Sequence, residues 1–303
     1  MQYIEGQYVV LKNVVLACAS VMACLALMPH SHAQTRVTDD RGTNIQLAAP
    51  ARRVITLSPH ATELVFAAGG GAQIAATVHA SDFPEAARTL PRIGEGLQPE
   101  PEVVLRQKPD LLIGWQASQF STLNALRIPS FLSAPKTLDD IPNTIEKFGV
   151  LLGTQDIAQS RASALRVQID QLNQTPFAGP PVRVFLQVGE PPEYSLNRSH
   201  LLSHVVEACG GVNVFEASAA IAPKISAESV LAQRPALVLL GRVGATATPV
   251  QDAATQQYWS HLNLPAAQAG RVYVMDSDVL YRPGPRLIEA AKAICSIIEQ
   301  ARK

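Results

Sequence analysis

Short unbroken apolar runs alternate along this chain with longer stretches whose apolar positions recur every three or four residues. Residues 101–113 read PEVVLRQKPDLLI and residues 227–239 read AESVLAQRPALVL; Glu, Val, Leu, Gln, Pro and Leu coincide at an offset of 126. Each segment predicts a short helix, a turn at Pro109 or Pro235, and a strand. The strands, Leu111-Leu112-Ile113 and Leu237-Val238-Leu239, carry no polar alternation, as expected in a parallel sheet covered on both faces. A second pair lies upstream. Arg53 to Leu57 predicts a strand, followed by a helix from Thr62 to Ala68 and the stop Gly69-Gly70-Gly71. Arg183 to Val188 predicts a strand, followed by a helix from Leu201 to Cys209 and Gly210-Gly211. This offset is about 130, so two separate matches describe one duplication.

Between the repeats, Ile141, Ile145, Phe148, Leu151, Leu152, Ile157, Leu165, Ile169 and Leu172 keep helical spacing. One or two helices are expected over residues 138–174, followed by a Pro- and Gly-rich linker over 173–181. The organisation is therefore α/β. An N-terminal lobe over 34–137 opens with a small hairpin at 36–50, and a helical region over 138–174 leads to a C-terminal lobe over 182–303. A single connection between two such lobes predicts a stiff hinge and a cleft.

Lys12, the apolar run from Val14 to Met28 and the small residues Ser31 and Ala33 form a secretory signal, read as residues 1–33. The apolar run is about 15 residues, short of the roughly 20 that span a bilayer. A lipid-anchored form is the alternative, although neither Cys18 nor Cys24 has Leu three residues before it. Loss of the leader leaves Cys209 and Cys295, read as one disulfide in an exported protein or else as two buried thiols. The 303 residues are 47% hydrophobic and 17% charged with a formal net charge of +0, which gives no footprint for nucleic acid.

Enzyme signatures are absent: the chain has no G-x-S-x-G, no Walker loop and no G-x-G-x-x-G. Ser58-Pro59-His60 offers a hydroxyl and an imidazole but no third member, so a hydrolase using the cleft is the remote alternative. His200 and His204, four apart on a helix, are compatible with zinc but read as surface residues. Open α/β sheets bind ligands beyond the carboxyl ends of their strands. That rule nominates His79 and Ala80 after the strand Ile74–Val78, Trp115 after Leu111–Gly114, and Tyr194 after 183–188. It also nominates Asp278, Val279, Leu280, Tyr281 and Arg282 after Val272–Met275. For Trp115 the competing reading is a core residue; for Asp278 and Arg282 it is a local ion pair four residues apart. Glu102 and Glu228 open the two repeated helices, where a carboxylate interacts favourably with the N-terminal dipole.

Taken together, RVITLSPHATELVFAAG from Arg53, SDFP from Ser81, KPDLLIGW from Lys108, RVFLQVG from Arg183, EACGG from Glu207 and SDVLYRPGPRLI from Ser277 carry a family resemblance. The chain resembles the helical-backbone (class III) solute-binding proteins of ABC importers for cobalamin, haem and ferric siderophores, and within them the cobalamin binders. The resemblance runs from about residue 52 to residue 300. It implies two Rossmann-like lobes with parallel sheets joined by a single long backbone helix, and a periplasmic monomer without catalysis or cofactor. The expected partners are a corrinoid cargo and an inner-membrane permease–ATPase complex. It also implies docking through Glu102 and Glu228, a Cys209–Cys295 disulfide, and pocket roles for Trp115, Tyr194, Asp278 and Arg282. Ala80, Gly96 and Ala222 stand where cobalamin binders carry aromatics. Haem or siderophore capture is the alternative cargo, although Gly94–Pro99 supplies no Tyr or His for iron.

Overall fold

The computed structural model describes residues 35–174, 177, 179–189 and 194–303. The residues read as a signal peptide, and residues 190–193 of the loop before Tyr194, lie outside these. Strands β1 (Thr35–Thr38) and β2 (Asn44–Leu47) form the antiparallel hairpin. Its turn is built on Asp39, whose carboxylate accepts from the backbone N–H of Arg41 and Thr43, each at 2.9 Å. The same side chain accepts from Leu132 N at 3.1 Å and so fastens the hairpin to the first sheet.

That sheet follows from β3 (Val54–Thr56), helix α1 (Pro59–Ala67), β4 (Ile74–Thr77), α2 (Pro101–Arg106), β5 (Leu111–Gly114) and β6 (Ser130–Leu132). Its order is β4-β3-β5-β6, all parallel. Residues alternate between two apolar layers: Val54, Leu111 and Ile113 face one, while Ile55, Leu57 and Leu112 face the other. This is why the strands read as continuous apolar runs.

The connecting region forms two helices, α3 (Asp140–Leu152) and α4 (Gln155–Asn173). They separate at Gly153, which takes the left-handed φ of +71°. Gly149 lets them approach closely, since a Cβ there would lie 2.4 Å from that of Ala158. The chain then builds β7 (Val182–Gln187), α5 (Leu201–Ala208), β8 (Gly211–Asn213), α6 (Ala227–Gln233), β9 (Leu237–Arg242), β10 (Val250–Gln251), α7 (Ala253–His261), β11 (Val272–Asp276), α8 (Ser277–Tyr281) and α9 (Pro285–Arg302). The second sheet has the order β8-β7-β9-β11-β10, parallel except for the two-residue edge strand β10. β7 lies between β8 and β9 as β3 lies between β4 and β5, so the sequence repeat is also a repeat of topology.

Helix α4 crosses between the lobes, packed against α3 on one side and α9 on the other. One apolar core runs from Leu64 in the first lobe, through Ile145 of α3 and Leu165 of α4, to Val184, Val205 and Ile294 in the second. Cys209 and Cys295 are joined by a disulfide with a Cα–Cα distance of 4.7 Å, which ties the end of α5 to α9.

Candidate ligand-binding cleft

The carboxyl ends of both sheets open onto a cavity of about 600 Å³. The first lobe supplies Leu57 to His60, Glu95, Leu97, Trp115, Gln116 and the stretch Ser133 to Lys136. From the second lobe come Ser199 to Leu201, Ile221, Tyr281 to Pro283 and Leu287. Trp115 and Ile221 keep 44% and 58% of their surface, so the walls offer apolar area that no protein side chain covers.

The first wall is held by one buried glutamine. Gln119 donates to Leu57 O at 2.8 Å and to Gly96 O at 2.9 Å, and it accepts from Trp115 N at 2.8 Å. One side chain thereby fixes the loops that follow β3, β4 and β5. Beneath it, Thr56, Thr62, Thr77 and Ser81 form a buried hydroxyl cluster with separations of 2.7–3.0 Å, anchoring the start of α1. Gly96 has φ +79°, and a Cβ there would lie 2.6 Å from Leu57 O. An aromatic at this position needs a different loop path. Here the adjacent Leu97 and, in the other lobe, Ile221 beside Ala222 bring aliphatic surface to the cavity instead.

The lobes meet beside the cavity in an ion cluster. Arg282 pairs with Asp278 at 2.6 Å within its own lobe, and with Asp82 at 2.8 Å and Glu63 at 3.3 Å in the other. Its Nη2 also donates to Ala80 O at 3.1 Å. Arg286 makes a two-point contact with Glu63 at 2.6 and 3.0 Å and stacks over Phe83 at 4.3 Å. Burial raises the Glu63 carboxyl above its ordinary range, against the pull of both arginines. Burial also raises Asp278, with Arg282 opposing and Asp82 adding to the rise. Asp82 is held low: burial opposes ionisation there, but the Arg282 guanidinium outweighs it.

Three of the nominated residues, Trp115, Tyr281 and Arg282, share the cavity wall. Tyr281 is also a strut, its hydroxyl donating to Gln187 O and accepting from Gly241 N, each at 2.8 Å. The structure places the rest elsewhere. Asp278 stands behind the wall as the partner of Arg282. Val279 and Leu280 turn into the core from one turn of helix and do not line the cavity. Ala80 contributes its carbonyl only, and His79 is exposed outside the lining. Tyr194 bridges Val188 and Lys224 at the sheet end, also outside the lining. Ser58 caps α1, accepting from Ala61 N at 3.4 Å, so its hydroxyl is not coupled to His60.

Two histidines belong to the cleft, and one of them, His200, corrects the reading from sequence. His60 is buried and its Nε2 lies 3.1 Å from Ser133 O. His200 is not a surface residue: it caps α5 through Nδ1, which accepts from Leu202 N at 3.1 Å, and it lines the cleft. His204 points away to Arg198 O. Burial pushes both His60 and His200 down to about 4, so both are uncharged at neutral pH. The strand-end rule, applied after Ser130–Leu132, would have found Ser133 to Lys136. His60 and Gln119 carry no pattern of their own.

A family model described as periplasmic binding protein matches residues 54–279. The chain belongs to that family. This periplasmic binding protein is 32% identical over 260 residues to the vitamin B12-binding protein of Vibrio cholerae, covering 84% of this chain and 91% of the relative. It is likewise 32% identical over 261 residues to that of Pectobacterium atrosepticum, covering 83% and 90%. Its fold matches the crystal structure of the periplasmic vitamin B12 binding protein BtuF of Vibrio cholerae with a TM-score of 0.75 and 31% identity, over 84% of this chain and 99% of that one. The periplasmic heme-binding protein RhuT from Roseiflexus shares the fold, with a TM-score of 0.69 and 21% identity over 84% of this chain and all of that one (100%). The family is one of solute-binding proteins, not of enzymes.

Proposed function

We propose that this periplasmic binding protein captures a corrinoid of the cobalamin class in the interlobe cleft and delivers it to an ABC importer. The observation that carries this is an overall identity of 32% to vitamin B12-binding proteins over 260 residues, a match long enough to span both lobes. The wall chemistry supports it. Trp115, Leu97, Ile221, Pro283 and Leu287 offer apolar surface to a large ring, and the polar groups among them are largely uncharged. Haem carries carboxylates that call for free cations. Arg282 is engaged by Glu63, Asp82 and Asp278, so Lys136 is the one unengaged cation among the described lining residues, too few for the paired carboxylates of haem, which favours the corrinoid.

Export to the periplasm, a monomeric state and the absence of a resident cofactor belong to the same proposal. So does docking through Glu102 and Glu228, both exposed in the first turns of α2 and α6. Titration with cyanocobalamin, followed by quenching of tryptophan fluorescence, tests the cargo. Saturable quenching that depends on Trp115 is expected. Absence of binding at micromolar protein, with a Soret shift on adding haem, would transfer the cleft to the haem reading.

A further inference from the structure

The proton positions on the two cleft histidines are dictated by their partners. A carbonyl oxygen only accepts, so the His60 nitrogen facing Ser133 O, Nε2, carries the hydrogen. An amide N–H only donates, so the His200 nitrogen facing Leu202 N, Nδ1, is the lone pair. Each ring is uncharged near neutrality. The nitrogens left over are therefore opposite in kind: His60 Nδ1 is an acceptor in the first wall, and His200 Nε2–H is a donor in the second. Neither has a hydrogen-bond partner among the described residues, and both rings line the cavity. Beside His60 lies Ser133 Oγ, fully buried and without a partner, also in the lining. An unpaired buried hydroxyl is costly and marks a place where a ligand group belongs.

The surrounding charge does not override this pair. Glu95 and Lys136 contribute one charge of each sign to the lining, and Arg282 is committed to three carboxylates. A ligand satisfies the site if it offers an N–H to one wall and a carbonyl to the other. A primary carboxamide carries both, and the rim of a corrinoid carries several. A carboxylate has no hydrogen to give, and its lone pairs would face that of His60. Resting on the corrinoid reading of the cleft, we infer that His60 and His200, with Ser133, read the carboxamides on the corrinoid rim and reject a carboxylate at the His60 side.

Calorimetric titration of the full protein with cyanocobalamin and with its isomeric monocarboxylates, each having one rim amide hydrolysed, tests this. The wild type should bind at least one monocarboxylate about tenfold more weakly than cyanocobalamin, the size of one misplaced buried polar contact. His60→Leu should weaken cyanocobalamin by about the same factor and remove that discrimination. His200→Asn keeps a capping oxygen for α5, so it should weaken cyanocobalamin while leaving the discrimination at His60 intact. Equal binding of all isomers by the wild type, which needs no variant, overturns the inference. So does undiminished discrimination in His60→Leu. If the wild type binds no corrinoid at all, the reading of the cleft fails and this inference fails with it.

Discussion

Gln119 shows how one side chain can set the shape of a cleft wall. Replacing it with Leu would leave Leu57 O and Gly96 O unpaired in a buried setting and Trp115 N unpaired in a half-buried one. Each such group costs about 1–3 kcal/mol, relieved in part by relaxation, so Gln119→Leu should destabilise the protein by about 3 kcal/mol in urea unfolding. Trp115 would lose its fixed backbone, and corrinoid affinity should fall with stability. A loss of stability alone would mean that Trp115 is held by its other contacts. The cleft histidines make a second prediction. Their folded values lie near 4 against an ordinary 6.5, so the unfolded chain takes up protons first as pH falls. Stability is full above pH 6.5, declines below it and levels off near 4, by on the order of 3 kcal/mol per residue. Glu63, shifted upward by burial, works in the opposite sense, so variants are needed to isolate the effect. Unfolding of His60→Gln between pH 7 and 4.5 should show a shallower decline than the wild type. An unchanged slope would show that His60 is not held neutral by the fold.

Among the elements, the contact of α1 with α8 and α9 through Glu63, Arg282 and Arg286 is the polar seam between the lobes. Glu63 exposes 2% of its side chain and Arg286 15%, so removing one charge strands the other. Because burial already disfavours the ionised carboxyl, Glu63→Gln should cost less than the about 3–5 kcal/mol of a fully stranded buried charge, and combining it with Arg286→Met should recover part of that loss, as measured by a double-mutant cycle in urea. An additive double variant would show that the pair is not coupled. This seam was illegible in the sequence, because Glu63 and Arg286 are separated by most of the chain and each lies in an ordinary helical pattern. Asp278 and Arg282, four apart, were legible as a pair, but not the three-way engagement of Arg282. The elements themselves were readable, because the repeat at 101–113 and 227–239 writes the same helix, proline turn and strand twice. The loop residues were not, because period and composition say nothing about which way a loop side chain turns. Val279 and Leu280 were nominated beside Tyr281 and face the core, while His200 was set aside as surface and faces the cleft.

At the scale of the molecule, the duplication gives two lobes whose four parallel strands share one order, and which share one core through α4. Opening the cleft widely would break that core as well as the Glu63 seam, so only small lobe movements are expected between free and bound states. A rigid carrier needs a docking signal that does not depend on large closure, and the duplicated carboxylates fit. Glu102 and Glu228 occupy equivalent first turns of α2 and α6, both exposed and both apart from the cavity lining. Glu228 is held in its ionised form by its own backbone N–H and the Ser226 hydroxyl. Their type is explicable by the helix dipole alone, so function must be separated from local stability. Charge reversal does this. Because neither side chain supports the core or the cleft, Glu102→Arg with Glu228→Arg should leave cyanocobalamin affinity and the unfolding midpoint close to wild type. Stimulation of the transporter ATPase by the loaded protein should be lost, and each single reversal should retain part of it, since one lobe still presents its carboxylate. Retained stimulation in the double variant would place docking elsewhere on the surface. Loss of affinity together with stimulation would instead show that the two helices support the fold.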